Sequence, residues 1–185
     1  MSEKEKAALQ QWYDANNDSD LLKERIDAKD LCFYYNQTLP SNTSKKEEIL
    51  EKLFGYLPDN LELLHPFQCD YGYNIKIKNN VFINHNCYFM DGAKINIGSY
   101  VFMGPNCGLY TAQHALNVEE RNAGLEKALP ITIGDNVWLG ANVTVLPGVI
   151  IGNNSVIGAG SIVSKDIPDN VIAVGNPCKV IRENI

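Results

Sequence analysis

Through much of the second half of the chain every sixth residue is aliphatic. From 133 the register runs Ile133, Leu139, Val145, Ile151, Ile157 and Val163 without a break. Four residues after each stands a small or β-branched side chain: Val137, Val143, Val149, Ser155, Ser161 and Ile167. The same step links Ile77, Ile83 and Phe89, then Ile97, Met103 and Leu109. Their partners are Val81, Cys87, Ala93, Val101, Cys107 and Gln113, and only Gln113 is neither small nor apolar. A period of six fits neither one face of a helix nor simple strand alternation. It fits a short strand plus a corner, with one aliphatic pointing inward at each corner. Gly134, Gly140, Gly152 and Gly158 follow the aliphatics, and Asp135–Asn136, Asn142 and Asn153–Asn154 lie close behind. All are residues that tolerate the positive φ of sharp turns. Stacked coils of this kind form a parallel β-helix with aliphatic ladders inside. The period does not fix the hand; the general crossover rule favours a right-handed one.

Two departures from the period stand out. Phe89 to Ile97 is a step of eight, an insertion of two residues near Asp91–Gly92. Leu109 to Ile133 is a step of twenty-four, and residues 111–130 lose the pattern. That stretch is polar and holds His114, Glu119, Glu120, Arg121, Gly124, Glu126 and Pro130. A long excursion from a regular stack points to function. Residues 1–60 are different again: dense in charge, with Gly55 the only glycine. Apolar spacing predicts helices over about 3–15, 20–37 and 45–56, with Leu21, Leu22, Ile26, Leu31 and Tyr35 on one face and Ile49, Leu50, Leu53 and Phe54 on another. Asp18 or Ser19 would cap the second helix, and Ser41 to Ser44 would start the third. The chain divides into a helical arm, 1–60, and a β-helix, 61–185, with 111–130 thrown out as a loop.

Composition narrows the class. With 185 residues, 45% apolar and 21% charged, the chain has the balance of a globular protein. A net charge of −6 gives no reason to expect nucleic acid or an anionic membrane as partner, though a local basic pocket is compatible with it. No apolar run approaches the roughly 18 residues of a membrane span. Met1 to Gln11 is charged and lacks the apolar segment of a signal peptide, so the expected location is the cytoplasm. Five cysteines without a CxxC pair suggest buried, reduced thiols.

His114 is the sharpest candidate for chemistry. It stands where the repeat is left, beside the one broken partner position. Histidine, with an ordinary pKa of about 6.5, suits proton transfer near neutrality. The other histidines, at 65 and 85, do not make the closely spaced set of a three-histidine zinc site. His85, between Asn84 and Asn86, is expected to face outward. Glu126 would either accept a hydrogen bond from the His114 imidazole or be solvated. There is no GxGxxG or P-loop, so no nucleotide triphosphate or dinucleotide is indicated.

The register [LIV]-G-x-x-[VS]-x is similar to that of the hexapeptide-repeat acyltransferases. "CDYGYNI" at 69–75, "YTAQH" at 110–114, "EERNAGLE" at 119–126, "ITIGDNVWLGANVTVLPGVIIG" at 131–152 and "AVGNPCKVIRENI" at 173–185 narrow the match. With the helical arm, they resemble the maltose and galactoside O-acetyltransferases over nearly the whole chain. The resemblance implies a mainly β fold, a left-handed parallel β-helix with an N-terminal α-helical arm. It implies acetyl-CoA-dependent transfer to a sugar hydroxyl, no metal, and His114 as general base. On the acceptor side it implies Asn84, Asp70 and Asp91, and an acid of the first helix, Asp14 or Asp18. Galactoside-type members carry two acids where this chain has Asp91–Gly92. Coenzyme A would lie in a groove between subunits of a homotrimer, along Trp138, Ala141, Ala159, Ser164 and Lys165. Lys179 and Arg182 would meet its phosphates, with Lys179 standing where the family often has Arg. Two alternatives remain: acetylation of another small hydroxyl compound such as an antibiotic, and a non-catalytic β-helix assembly subunit.

Overall fold

The computed structural model describes residues 1–184. The arm comprises α1 (Glu3–Ala8), β1 (Tyr13–Asp14), α2 (Ser19–Gln37) and α3 (Thr43–Phe54). Five coils follow. The first is β2 (Leu61–Leu63), β3 (Phe67–Cys69) and β4 (Ile75–Ile77); the second is β5 (Val81–Ile83), β6 (Cys87–Met90) and β7 (Ile95–Ile97). The third starts with β8 (Phe102–Met103) and β9 (Gly108–Tyr110), then leaves the stack through β10 (Ala112–His114), α4 (Val118–Asn122) and β11 (Leu125–Ala128), and returns as β12 (Ile131–Ile133). The fourth is β13 (Trp138–Leu139), β14 (Thr144–Val145) and β15 (Ile150–Ile151). The fifth is β16 (Val156–Ile157), β17 (Ile162–Val163) and a bridge from Ile167 to Ile151. The chain ends in β18 (Val171–Val174) and β19 (Lys179–Glu183), an antiparallel pair.

Parallel pairing between coils makes three faces. Face 1 joins β2, β5, β8, β13, β16 and β18; face 2 joins β3, β6, β9, β14 and β17; face 3 joins β4, β7, β12 and β15. All twelve aliphatic or apolar positions of the hexad register are buried, none more than 5% exposed. The two-residue insertion moves the partner of Phe89 from Ala93 to Ile95, which stacks between Ile75 and Ile131. Ile131 likewise takes the place expected of Gln113, which is exposed.

The corner chemistry differs in detail from the sequence reading. Asn80, Asn86, Asn106, Asn136, Asn142, Asn154 and Asn170 all adopt φ between 57° and 61°. These asparagines make the left-handed turns, not the hexad glycines. Gly140 has ordinary backbone but no room: a Cβ there would meet Ala159 N at 2.6 Å. The glycine lets one coil lie close on the next. Asparagine amides link the coils, as in Asn136 to Asn154 at 3.0 Å and Asn154 to Asn170 at 2.8 Å.

The arm packs on the first coil in a core shared with the β-helix, through Cys32, Tyr35, Leu53 and Phe54. Phe54, Phe67 and Phe89 meet edge to face, with centroids 6.3 and 5.2 Å apart. Asp18 caps α2 by accepting from Leu21 N, Asn42 caps α3, and Gly55 closes α3 in the left-handed conformation at φ 77°. Two expectations need correction. The first helix ends at Ala8, not 15, because Tyr13 and Asp14 extend to pair with β11 and Tyr13 is buried. The buried side of α2 is Leu21, Ala28, Cys32 and Tyr35, while Leu22 and Ile26 face outward. Among the described residues no helix is long and apolar enough to cross a membrane.

Candidate active site

Residues 111–130 are not a plain loop. β10 and β11 form a hairpin, and β1 of the arm adds a third antiparallel strand, because an excursion this long needs partners for its backbone groups. In this small sheet Tyr13, Glu126 and His114 lie directly opposite one another. Their side chains share one face. His114 Nε2 is 3.8 Å from Glu126 Oε1; the imidazole is 54% exposed and the carboxylate 17%. Asn16 Nδ2 donates to Glu126 Oε1 at 3.3 Å and to Gly124 O at 3.1 Å, pinning the arm to the hairpin. Of the two arm acids, Asp14 lies on β1 beside this row, accepting from Asn16 N and Asn17 N. Asp18 is spent on the cap of α2.

Behind this row lies the corner between faces 2 and 3. Asp70 Oδ1 accepts from Tyr88 Oη at 2.6 Å. Tyr71 Oη accepts from Arg25 Nη1 at 3.0 Å, and Arg25 Nη2 donates to Ala15 O. Burial pushes the Tyr71 phenol up to about 12, with Arg25 pulling the other way. The Asp91 carboxyl is 0% exposed and turned into the corner. Oδ1 accepts from Asp70 N at 2.9 Å and Tyr71 N at 2.8 Å, while buried Oδ2 has no partner. Burial raises the Asp91 carboxyl to about 6, opposed by those two amides. A side chain at Gly92 would meet the Tyr13 hydroxyl at 3.1 Å, so a second acid and Tyr13 compete for one space. A cavity of about 300 Å³ opens between α1 and this corner, lined by Lys4, Tyr13, Tyr71, Tyr73 and Lys94 among others; His114 is not in its lining.

The remaining candidates lie elsewhere. Asn84 sits at the corner between faces 1 and 2, its Oδ1 accepting from His85 N at 2.7 Å. His65 and His85 are at the same corner, rings 6.4 Å apart, and His85 is exposed as expected. Three residues of face 2, roughly 10 Å of strand, separate this corner from the one that launches the His114 hairpin. Trp138 is 56% exposed on face 1; Ala141 and Ala159 stack at the corner with Asn84; Lys179 and Arg182 project from exposed β19. Ser164 and Lys165 are exposed at the opposite edge of face 2, on the fifth coil. The fold therefore gathers Asp14, Asp70, Asp91 and His114 at one corner, leaves Asn84 with Ala141 and Ala159 at another, and spreads the other coenzyme candidates over face 1, β19 and the far edge of face 2. Among the described residues no three His, Cys, Asp or Glu side chains form a metal-binding group.

Several participants were not singled out from the sequence. Phe82 and Phe102 stack in register with Trp138 as an outward ladder, Phe82 and Phe102 with centroids 6.4 Å apart. The signal was present: each stands one position before a buried hexad residue. Arg25 and Tyr71 carried no such pattern, and Tyr88, which does precede the hexad residue Phe89, gave no sign of its partner Asp70.

Residues 8–58 match the maltose acetyltransferase hexapeptide capping motif, and residues 130–165 match the six-repeat bacterial transferase hexapeptide. A Staphylococcus aureus protein named for acetyltransferase activity is 58% identical over 183 residues, 99% of this chain and 92% of its own. The crystal structure of a maltose O-acetyltransferase from Clostridium difficile 630 superposes with a TM-score of 0.96 at 48% identity, covering 99% of this chain and 97% of that one. A hexapeptide-repeat acetyltransferase from Vibrio cholerae, solved with acetyl coenzyme A, gives 0.91 at 35% identity over the full length of both. Such superpositions require helices of one hand, so the β-helix here is left-handed, against the general crossover preference. The arm, the coils and the His114 hairpin are thus those of a known architecture, and the chain belongs to the hexapeptide-repeat acetyltransferases of the maltose acetyltransferase type.

Proposed function

We propose that the chain transfers acetyl from acetyl-CoA to a hydroxyl of a sugar of the maltose, glucose or galactoside kind, with His114 as general base. The observation that carries this reading is the row Tyr13, Glu126, His114, which holds an exposed imidazole beside a half-buried carboxylate. A sugar hydroxyl is a weak nucleophile until its proton is withdrawn, and His114 takes that proton. Glu126 stabilises the imidazolium that results. Bound acetyl-CoA supplies the acetyl group as a thioester. Asp70 and Asn84 hold acceptor hydroxyls, and Asp91 holds the backbone of Asp70. Trp138, Ala141, Ala159, Ser164 and Lys165 wall the coenzyme groove, and Lys179 and Arg182 receive its phosphates. Among the described residues neither cation is in an ion pair, which leaves both free for an anion.

The split between corners supports a homotrimer with sites between subunits. A second copy set against His114 brings the far corner of its own β-helix to the acid-rich corner of the first. The free cysteines fit a cytoplasmic location.

Acetyl-CoA is to be offered with maltose, glucose, galactosides and hydroxylated antibiotics, and O-acetyl products identified by mass spectrometry. A sugar product is expected. His114→Ala should lower kcat by about 10²–10⁴ while acetyl-CoA still binds, and His85→Ala should keep its activity. A fully active His114→Ala removes the mechanism. Absence of acetyl-CoA binding in calorimetry leaves the non-catalytic assembly, and a monomer at micromolar concentration removes the shared site.

A further inference from the structure

Two thiols that the reaction does not use meet where the arm docks. Cys32 lies on the inner side of α2 and Cys69 ends β3, and their sulfurs are 3.7 Å apart. Both are buried, 2% and 1% exposed. Cys87 and Cys107 also meet each other, but their thiols reach backbone carbonyls as well. Cys87 donates to Gly104 O at 3.6 Å and Cys107 to Gly140 O at 3.2 Å, each toward backbone. Cys178 is half-buried near the C-terminus. Either thiol can donate to the other, and their contact lowers the Cys32 thiol below its ordinary value and raises that of Cys69.

We propose that Cys32 and Cys69 form a redox modification site, at which a peroxide converts the two thiols into a disulfide that fastens the arm to the first coil. The Cys32 sulfur attacks the peroxide O–O bond, giving a sulfenic acid and, from hydrogen peroxide, one water. The Cys69 sulfur then attacks the Cys32 sulfur and displaces a second water, its proton leaving with the hydroxyl. Two thiols are oxidised by two electrons and one peroxide is reduced. An S–S bond is about 2.05 Å long, so the sulfurs must close by about 1.7 Å. The new bond encloses residues 32–69, a segment that contains α3 and β2. It ties down α2, whose Arg25 holds Tyr71, and it sits next to Asp70. Oxidation thus acts on the part of the molecule that positions the His114 hairpin, through the arm strand β1.

The folded protein is to be treated with hydrogen peroxide, unfolded, alkylated at its remaining thiols, and mapped by mass spectrometry without reductant. A linked peptide joining Cys32 to Cys69 is expected, lighter by two hydrogens and lost on treatment with dithiothreitol. Oxidation should raise Tm by about 5–10 °C in the wild type, and not in Cys32→Ser or Cys69→Ser. Recovery of both cysteines alkylated, with Cys178 oxidised instead, overturns the proposal, as does a linkage between any other pair. The wild-type map decides by itself, so a serine variant that fails to fold leaves the test intact.

Discussion

The corner between faces 2 and 3 and the outer surface of face 1 are built from the same hexads, yet they are finished in opposite ways. At the corner, polar groups are engaged within one chain. Asp91 holds two amides, Tyr88 holds Asp70, Arg25 holds Tyr71, and the arm lies across the opening. On face 1 the outward row includes Phe82, Phe102 and Trp138, the latter two more than half exposed. The first region is organised before any ligand arrives, at the cost of one buried, half-satisfied carboxylate. The second is a flat apolar wall ending in two cations on β19. A flat wall binds a long ligand only when a second wall faces it. The proposed general base stands on a surface organised within one chain, and the proposed coenzyme groove on one that a second chain would complete.

The sharpest way to break this contrast is to loosen the first region from behind. Phe67→Ala removes the ring between Phe54 and Phe89, where arm and coil share one core. It should cost about 3–5 kcal/mol in denaturant unfolding, whereas Phe102→Ala on the bare wall should stay within about 0.5 kcal/mol. Equal losses would mean that the wall is part of the fold.

A smaller effect concerns Asp91. Its carboxyl is raised to about 6 by burial, against 3.8 ordinarily. Between those values the unfolded chain has released a proton that the folded chain keeps. The stability is present in full below pH 4 and is lost as pH rises through 6, by something of order 2–3 kcal/mol. Asp91→Asn should flatten this component of the pH–stability curve and keep acceptance from the Asp70 and Tyr71 amides. A wild-type-minus-variant curve that is flat over pH 4–6 would show that Asp91 does not titrate there.

The mildest test sharpens the second region. Lys179→Ala with Arg182→Ala should raise the acetyl-CoA KM about tenfold and leave kcat nearly unchanged, since phosphate contacts act on ground and transition states alike. Raised salt should weaken the wild type toward the variant. An unchanged KM takes β19 out of the groove.

The core was legible because inward side chains of a stacked coil recur at fixed spacing whatever lies outside. Ile83, Leu139 and Val163 needed no tertiary knowledge. The arm was less legible. Leu22 and Ile26 are as apolar as any core residue, but α2 turns toward the coil the side bearing Ala28 and Cys32, which are small enough to approach it, and Arg25, whose head finds Ala15 O and Tyr71. Residues 9–14 read as helix until β11 offers Tyr13 and Asp14 a strand to pair with.

The site divides in the same way. His114 was marked by its place at the exit from the repeat, while Phe82 and Phe102, though each precedes a hexad residue, were joined to Trp138 only by the stacking of the coils. Asp91, by contrast, looks in one dimension like any polar turn residue. Only the packing of one coil against the next shows that its carboxyl faces the amides of residues twenty positions earlier and never reaches solvent. The sequence alone determined the period, the coils and the place where the chain leaves them, because those follow from local backbone preference and the need to hide aliphatic side chains. Tertiary structure decided which polar groups meet. Glu126 opposite His114, Arg25 on Tyr71 and Cys32 against Cys69 are pairings of residues far apart in the chain. Distance and burial, which set the strength of such contacts, exist only once the arm has closed on the helix.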